Sequence, residues 1–275
     1  MTAALSDVET TVPEPADQVL SVRYAGRTVR RSDVLHDYAA YGEPDGDLEM
    51  DYNFYVVTGP DGITLFDTGY DVAARDWLGE IPGTTTPECL DLLGIDPRDV
   101  VRVVTSHFHY DHIGHLALFE RAEVVAAREE YDYWSGKRAR DGLAGEFATD
   151  ADLDAVERAR AEGRLTLLDG PTRVAPHLTV VPVGGHTPGE SLLVVGTRER
   201  PLLLAADAAH FGIQVENDWP FFAFTDLDRM RRGLGRIHAV AHALGATVVP
   251  GHDGRTRHEH PAAPGPGGRV AVVLG

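Results

Sequence analysis

The segment Ser106-His107-Phe108-His109-Tyr110-Asp111-His112 carries the densest chemistry in the chain. Read as His-x-His-x-Asp-His, it sets three imidazoles and one carboxylate within six positions. Nitrogen and oxygen donors at this density form a metal-ligand set. Alternate residues of an extended chain point the same way, so His107 and His109 share one face. Asp111 and His112 break the alternation as the chain turns and aim at a second point nearby. The spacing predicts two metal ions rather than one.

The second half of the chain supplies further donors. His186 lies in Gly184-Gly185-His186-Thr187-Pro188-Gly189, Asp207 ends the apolar run Leu202-Leu203-Leu204-Ala205-Ala206, and His252 lies in Pro250-Gly251-His252-Asp253. Glycines beside a histidine let the backbone turn and point the ring into a cleft. The expected set is His107, His109 and His186 on one metal, and Asp111, His112 and His252 on the other, with Asp207 bridging. Such donors suit two divalent ions, zinc first, with iron, cobalt or manganese also compatible. Asp67, at the end of another strand, either orients a metal-bound histidine or forms a turn or helix cap.

These donors need strands that end in one place. Residues 100–105 form an apolar, β-branched run leading straight into His107. Further strands are predicted over 52–58 and 63–66, joined by the turn Gly59-Pro60-Asp61-Gly62, and over 122–127, 165–168, 178–183, 191–195, 202–206 and 246–249. Residues 17–30 read as a hairpin around Ala25-Gly26, residues 31–50 as a loop, and 269–274 as an edge strand. Helical patterns cover 71–80, 86–94, 112–120, 129–140, 152–162 and 226–244. A polar, glycine-containing and mobile loop is expected before residue 152. Each half runs strands, helix, then a strand ending in donor residues. That order predicts two β-rich halves packed face to face, with helices outside and the site at the strand ends.

Composition narrows the function. The 275 residues suffice for one large domain, and no linker divides residues 17–275. Residues 1–16 are polar and read as a disordered lead-in without the pattern of a secretory signal. The formal charge is −18, which disfavours partners such as nucleic acid and anionic membranes. No apolar run reaches the length of a transmembrane helix. Cys89 is the sole cysteine, so an internal disulfide is excluded. A cytoplasmic protein, monomeric or homodimeric and acting on a small molecule, is the expected setting.

The ordered donors, together with Asp67-Thr68-Gly69 and Gly185-His186-Thr187-Pro188-Gly189, resemble the metallo-β-lactamase superfamily. The resemblance covers roughly residues 50–255. It implies an α/β fold: a four-layer αβ/βα sandwich of two mixed sheets with outer helices. Within the superfamily the chain most resembles the N-acyl homoserine lactonases, through residues 106–114, Glu129-Glu130-Tyr131, Asp207-Ala208-Ala209 and Gly251-His252-Asp253. It departs from them at His210, where they resemble one another in a tyrosine, and at Glu190-Ser191, where they often carry a further histidine.

The resemblance implies a dinuclear hydrolase in which a hydroxide shared by two metals attacks a lactone carbonyl. Asp111 would pass a proton to the leaving group and His210 would donate to the developing oxyanion. Tyr110, Phe221 and Phe222 are the expected pocket wall. Other readings stay open: hydrolysis of another ester, a thioester or a cyclic amide in a biosynthetic pathway, and a di-iron redox enzyme on the same fold.

Overall fold

The valine-, leucine- and tyrosine-rich segments assemble into two mixed sheets. The computed structural model describes residues 4–70, 83–140 and 147–275. Its strands are β1 (Gln18–Arg30), β2 (Asp47–Gly59), β3 (Gly62–Phe66), β4 (Val100–Val104), β5 (Glu123–Ala127), β6 (Leu165–Leu168), β7 (Thr172–Ala175), β8 (Leu178–Pro182), β9 (Ser191–Val195), β10 (Leu202–Leu204), β11 (Thr247–Val249) and β12 (Ala271–Val273). One sheet has the order β12-β1-β2-β3-β4-β5-β6 and the other β11-β10-β9-β8-β7. In the first, β3, β4, β5 and β6 run parallel while β12, β1 and β2 pair antiparallel. In the second, only β10 and β11 are parallel.

Period-two burial builds the layers. Between the sheets, Val57, Phe66, Val104 and Val125 meet Val180, Leu193, Leu204 and Val249. The opposite face of the smaller sheet packs Val181, Leu192 and Val194 against Leu234, Ile237 and Val240 of the helix Leu227–Leu244. That helix starts where the Asp226 side chain accepts from the Arg229 N–H at 2.8 Å and stops at left-handed Gly245. The outer face of the larger sheet carries helices Thr86–Leu93 and Asp150–Ala161. This is the αβ/βα sandwich, with β4, β8, β10 and β11 all leading to donor residues. Among the described residues no helix is long and apolar enough to cross a membrane.

Four expectations need correction. Residues 17–30 are not a hairpin: β1 runs straight through Ala25-Gly26, with a bulge between Arg23 and Ala25 while pairing with β2. A bulge absorbs the break in alternation that suggested a turn. Residues 31–50 are not all loop, since a helical turn Arg31–Val34 and a 3-10 turn Tyr38–Tyr41 precede β2, which begins at Asp47. The helix expected over 112–120 divides into Tyr110–Ile113 and a 3-10 turn Leu116–Leu118. Strand β7 was not foreseen. The helix expected over 71–80 and the loop before residue 147 lie outside the described residues.

The fourth correction concerns the N-terminus, expected as a disordered lead-in. Residues 7–10 form a helical turn, and Glu9 is fully buried. Its carboxylate accepts from Arg236 Nε and Nη2 at 2.7 and 2.6 Å, on the helix Leu227–Leu244. Farther on, Glu14 N–H donates to Pro176 O at 3.0 Å. A fork-on-fork pair supplies the fixed point that composition alone did not reveal. Removing one partner of a buried pair leaves the other charge uncompensated. Glu9→Ala is therefore expected to lower the unfolding free energy by about 3 kcal/mol, read from a urea titration.

Candidate metal centre

The donors converge where strands from both sheets end. His107 follows β4, and its chain turns into the helical turn Tyr110–Ile113 that carries Asp111 and His112. His186 follows β8, Asp207 follows β10, and His252 follows β11. The backbone is tuned for close approach. Gly185 has φ +116°, and a Cβ there would stand 2.5 Å from the Met230 nitrogen. A Cβ on Gly251 would stand 2.4 Å from Ala206 O. Asp67 and Ala206 hold left-handed φ values of 66° and 43°, a cost that clusters at functional sites.

Among the described residues two buried groups of donors result, His107, His109, His186 and Asp207, then Asp111, His112 and His252, with Asp207, His210 and His252 as a third that overlaps them. Asp207 touches both of the first two. Its Oδ2 lies 3.1 Å from His186 Nε2 and 3.8 Å from His107 Nε2, while its Oδ1 lies 2.9 Å from His252 Nε2 and 3.3 Å from His112 Nε2. All seven donors expected from the sequence are thus brought together. His210 joins them, with Nε2 3.0 Å from Asp207 Oδ2.

Outer partners fix which ring nitrogen faces inward. His186 Nδ1–H donates to Ala223 O at 2.9 Å, and His252 Nδ1–H to Asp51 O at 2.8 Å. A carbonyl can only accept, so in the neutral rings both Nε2 atoms carry lone pairs. His112 Nδ1 lies 2.8 Å from Asp67 Oδ2, and His107 Nδ1 lies 3.0 Å from Glu190 Oε2. The Asp67 carboxylate also accepts from Ser106 N–H at 2.7 Å and Ser106 Oγ–H at 2.9 Å. These contacts are the geometry that the orienting role considered for Asp67 requires.

Metal ions fit this centre. His107 Nε2 and His112 Nε2 are buried without a hydrogen-bond partner and face the Asp207 carboxylate. His109 Nδ1 and His186 Nε2 stand 3.0 Å apart. Lone pairs that crowd one point, around a buried carboxylate, are the donor set of a divalent cation. The electrostatics divide the donors: burial would lower His112 and His252, but Asp207 and Asp111 outweigh it and raise both rings above the usual histidine range. Burial, then neighbouring imidazoles, pushes His107 and His109 well below the usual histidine range. Burial alone would raise Asp207, but His210, His112 and His252 outweigh it and hold the carboxyl well below the carboxylate range.

A cleft of about 70 Å³ opens over the donors, walled by Met50, Tyr52, Tyr110, Phe147, Phe221 and Phe222. The expected wall residues Tyr110, Phe221 and Phe222 all line it. Phe221 also stacks on the His210 ring, with centroids 3.4 Å apart. His210 differs from its expected oxyanion-donor placement: Nε2 is engaged with Asp207, and Nδ1 is buried without a hydrogen-bond partner. Burial holds this histidine down to about 3, so the ring is neutral.

Sequence reasoning missed Arg27, which lines the cleft, and gave no role to Glu130 and Glu190, which it named only in the family resemblance. Glu130 accepts from Phe108 N–H, Gly189 N–H and Trp134 Nε1–H at 2.9, 2.9 and 2.8 Å, tying the His107 loop to the His186 loop. Glu190 is fully buried behind His107. Its signal was a carboxylate entering Ser191–Val195, a strand buried at every position.

Comparison with known proteins agrees with this geometry. Residues 49–264 match the profile of the metallo-beta-lactamase superfamily. N-acyl homoserine lactonase AttM of Azorhizobium caulinodans is 32% identical over 246 residues, spanning 80% of this chain and 88% of that one. A crystal structure of a quorum-quenching N-acyl homoserine lactone lactonase superposes with a TM-score of 0.72 at 20% identity, covering 89% of this chain and 95% of that one. An N-acyl homoserine lactone hydrolase with N-hexanoyl-L-homoserine at its catalytic metal centre superposes equally well, with a TM-score of 0.72 at 20% identity, covering 89% and 96%. The chain belongs to the metallo-beta-lactamase superfamily and, within it, groups with the N-acyl homoserine lactonases.

Proposed function

We propose that this protein is a dinuclear metal-dependent lactonase that opens N-acyl homoserine lactones. One observation carries the reading: Asp207 stands between two donor groups, against His186 on one side and His112 and His252 on the other, at the floor of an aromatic cleft. His107, His109 and His186 would hold one ion and Asp111, His112 and His252 the other, with zinc the ion such donors suit best. Bound there, the two ions supply a nucleophile at neutral pH and polarise the ester carbonyl.

The chain's own groups do the rest. Burial pushes the Asp111 carboxyl above the usual range, against the pull of His112 and with help from Asp207. That is the metal-free site; with an ion bound the carboxylate would be a ligand, and Asp111 would pass a proton to the departing alkoxide, a poor leaving group without one. His210 fixes the Asp207 carboxylate, and Phe221 holds the imidazole plane. Met50, Phe147 and Phe222 offer apolar surface to an acyl chain and exclude water around the ester.

The test is proton release by metal-loaded protein on a panel of N-acyl homoserine lactones and simple lactones, with His109→Ala as the blank. Turnover that depends on His109 and varies with acyl length is expected. A protein holding about two metals that opens no lactone would overturn the lactonase reading.

A further inference from the structure

Arg27 is set apart from most arginines of this chain. Arg23, Arg30, Arg102, Arg255 and Arg257 each hold a carboxylate. In a chain with 43 acidic and 25 basic residues, carboxylates are plentiful. Yet Arg27 Nε is buried without a hydrogen-bond partner, and among the described residues no carboxylate pairs with the side chain. Keeping a half-buried guanidinium unpaired is costly. A cost of that kind at the wall of a reactive cleft points to a ligand that completes the pair.

The register explains its position. Ala25 faces Tyr52 and Arg27 faces Met50 across β1 and β2. Residues two apart on a strand share a face, so Arg27 extends the face of Ala25, beside two side chains that wall the cleft. Among the described residues it is the only arginine or lysine lining the cleft. Its charge acts on the phenols of Tyr52 and Tyr110, which places it over the pocket rather than in bulk solvent. A guanidinium does not bind a metal ion, so at the cleft wall its fork can meet what the lactone ring carries.

We infer that Arg27 selects the substrate: its guanidinium donates to an oxygen acceptor on the substituent of the lactone ring. That acceptor is the carbonyl of an N-acyl amide or the carboxylate of an acidic substituent, both matched by the planar donor fork. This inference rests on the lactonase reading and adds a preference for substituted over bare rings.

The experiment compares metal-loaded wild type, Arg27→Met and Arg27→Lys on three lactones. These are γ-butyrolactone, N-hexanoyl homoserine lactone, and a γ-lactone bearing a ring carboxylate. Arg27→Met should lose kcat/KM on a substituted lactone by roughly 10- to 100-fold more than on γ-butyrolactone, through KM, with partial recovery in Arg27→Lys. The substituent that loses more names the acceptor. Equal losses on all three, or none, would overturn the inference. If the wild type opens none of the three, the lactonase reading fails by itself. Equilibrium binding of the same lactones then decides Arg27: substituted lactones bound by wild type and released by Arg27→Met uphold it, and binding alike by both or by neither overturns it.

Discussion

Asp207→Asn is expected to yield a folded protein that no longer retains two metal ions and turns over lactones slower by at least about three orders of magnitude. The carboxylate reaches both donor groups, contacting His107 and His186 through one oxygen side and His112 and His252 through the other. An amide of the same shape removes the charge that balances two dications, and its NH2 would meet imidazole lone pairs whose Nδ1 atoms are already committed to Ala223 and Asp51 carbonyls. The local backbone does not depend on the side chain: Ala205 N–H still donates to Val249 O at 2.9 Å and Gly251 N–H to Ala209 O at 3.0 Å. Circular dichroism should therefore match the wild type while bound metal, measured by elemental analysis after gel filtration, falls. Two retained ions with near-normal turnover would show that Asp207 does not join the donor groups.

What the sequence disclosed and what it hid divide along a physical line. Each donor follows a β-branched or leucine-rich run, and local patterning alone tells that such a run ends at a turn. The ends of β4, β8, β10 and β11 were legible for that reason. So was the helix Leu227–Leu244, because Asp226 and Gly245 cap it. Residues whose meaning depends on a distant partner were hidden. Glu9 is an unremarkable acid until Arg236, 227 positions later, grips it. Arg27 is a polar interruption in a strand until β2 brings Tyr52 and Met50 beside it. The bulge at Arg23 and Ala25 misled in the same way: a break in alternation has one reading in an isolated segment and another once a long partner strand spans it. Motif spacing placed the donors, but only three-dimensional contact reveals which nitrogen each ring turns inward.

Glu190→Gln should act in opposite directions on the two states of the protein. With metal bound, affinity for the ion at His107 is expected to fall by about 10- to 100-fold, because a carboxylate behind Nδ1 fixes the ring and raises the basicity of Nε2, and a neutral amide does this poorly. Asp67→Asn, behind His112, should lose metal affinity by a similar factor. Stripped of metal, Glu190→Gln should be the more stable protein. Glu190 is fully buried, and neither oxygen has a well-aligned hydrogen bond. Burial first, and then Asp207, push its carboxyl well above the usual range. A carboxyl raised in the folded state binds its proton more tightly there than in the unfolded chain. Folding stability is therefore intact below the unfolded pKa and declines as pH rises toward the folded one. Glutamine cannot ionise, so that decline disappears. A role confined to packing would move both quantities together. Chelator competition gives the affinity, and urea titrations of the stripped proteins between pH 5 and pH 8 give the stability. Unchanged affinity, or a stripped variant weaker than wild type across that range, would remove Glu190 from behind the metal centre and leave His107 oriented by Ser106 alone, whose Oγ lies 2.9 Å from the same nitrogen.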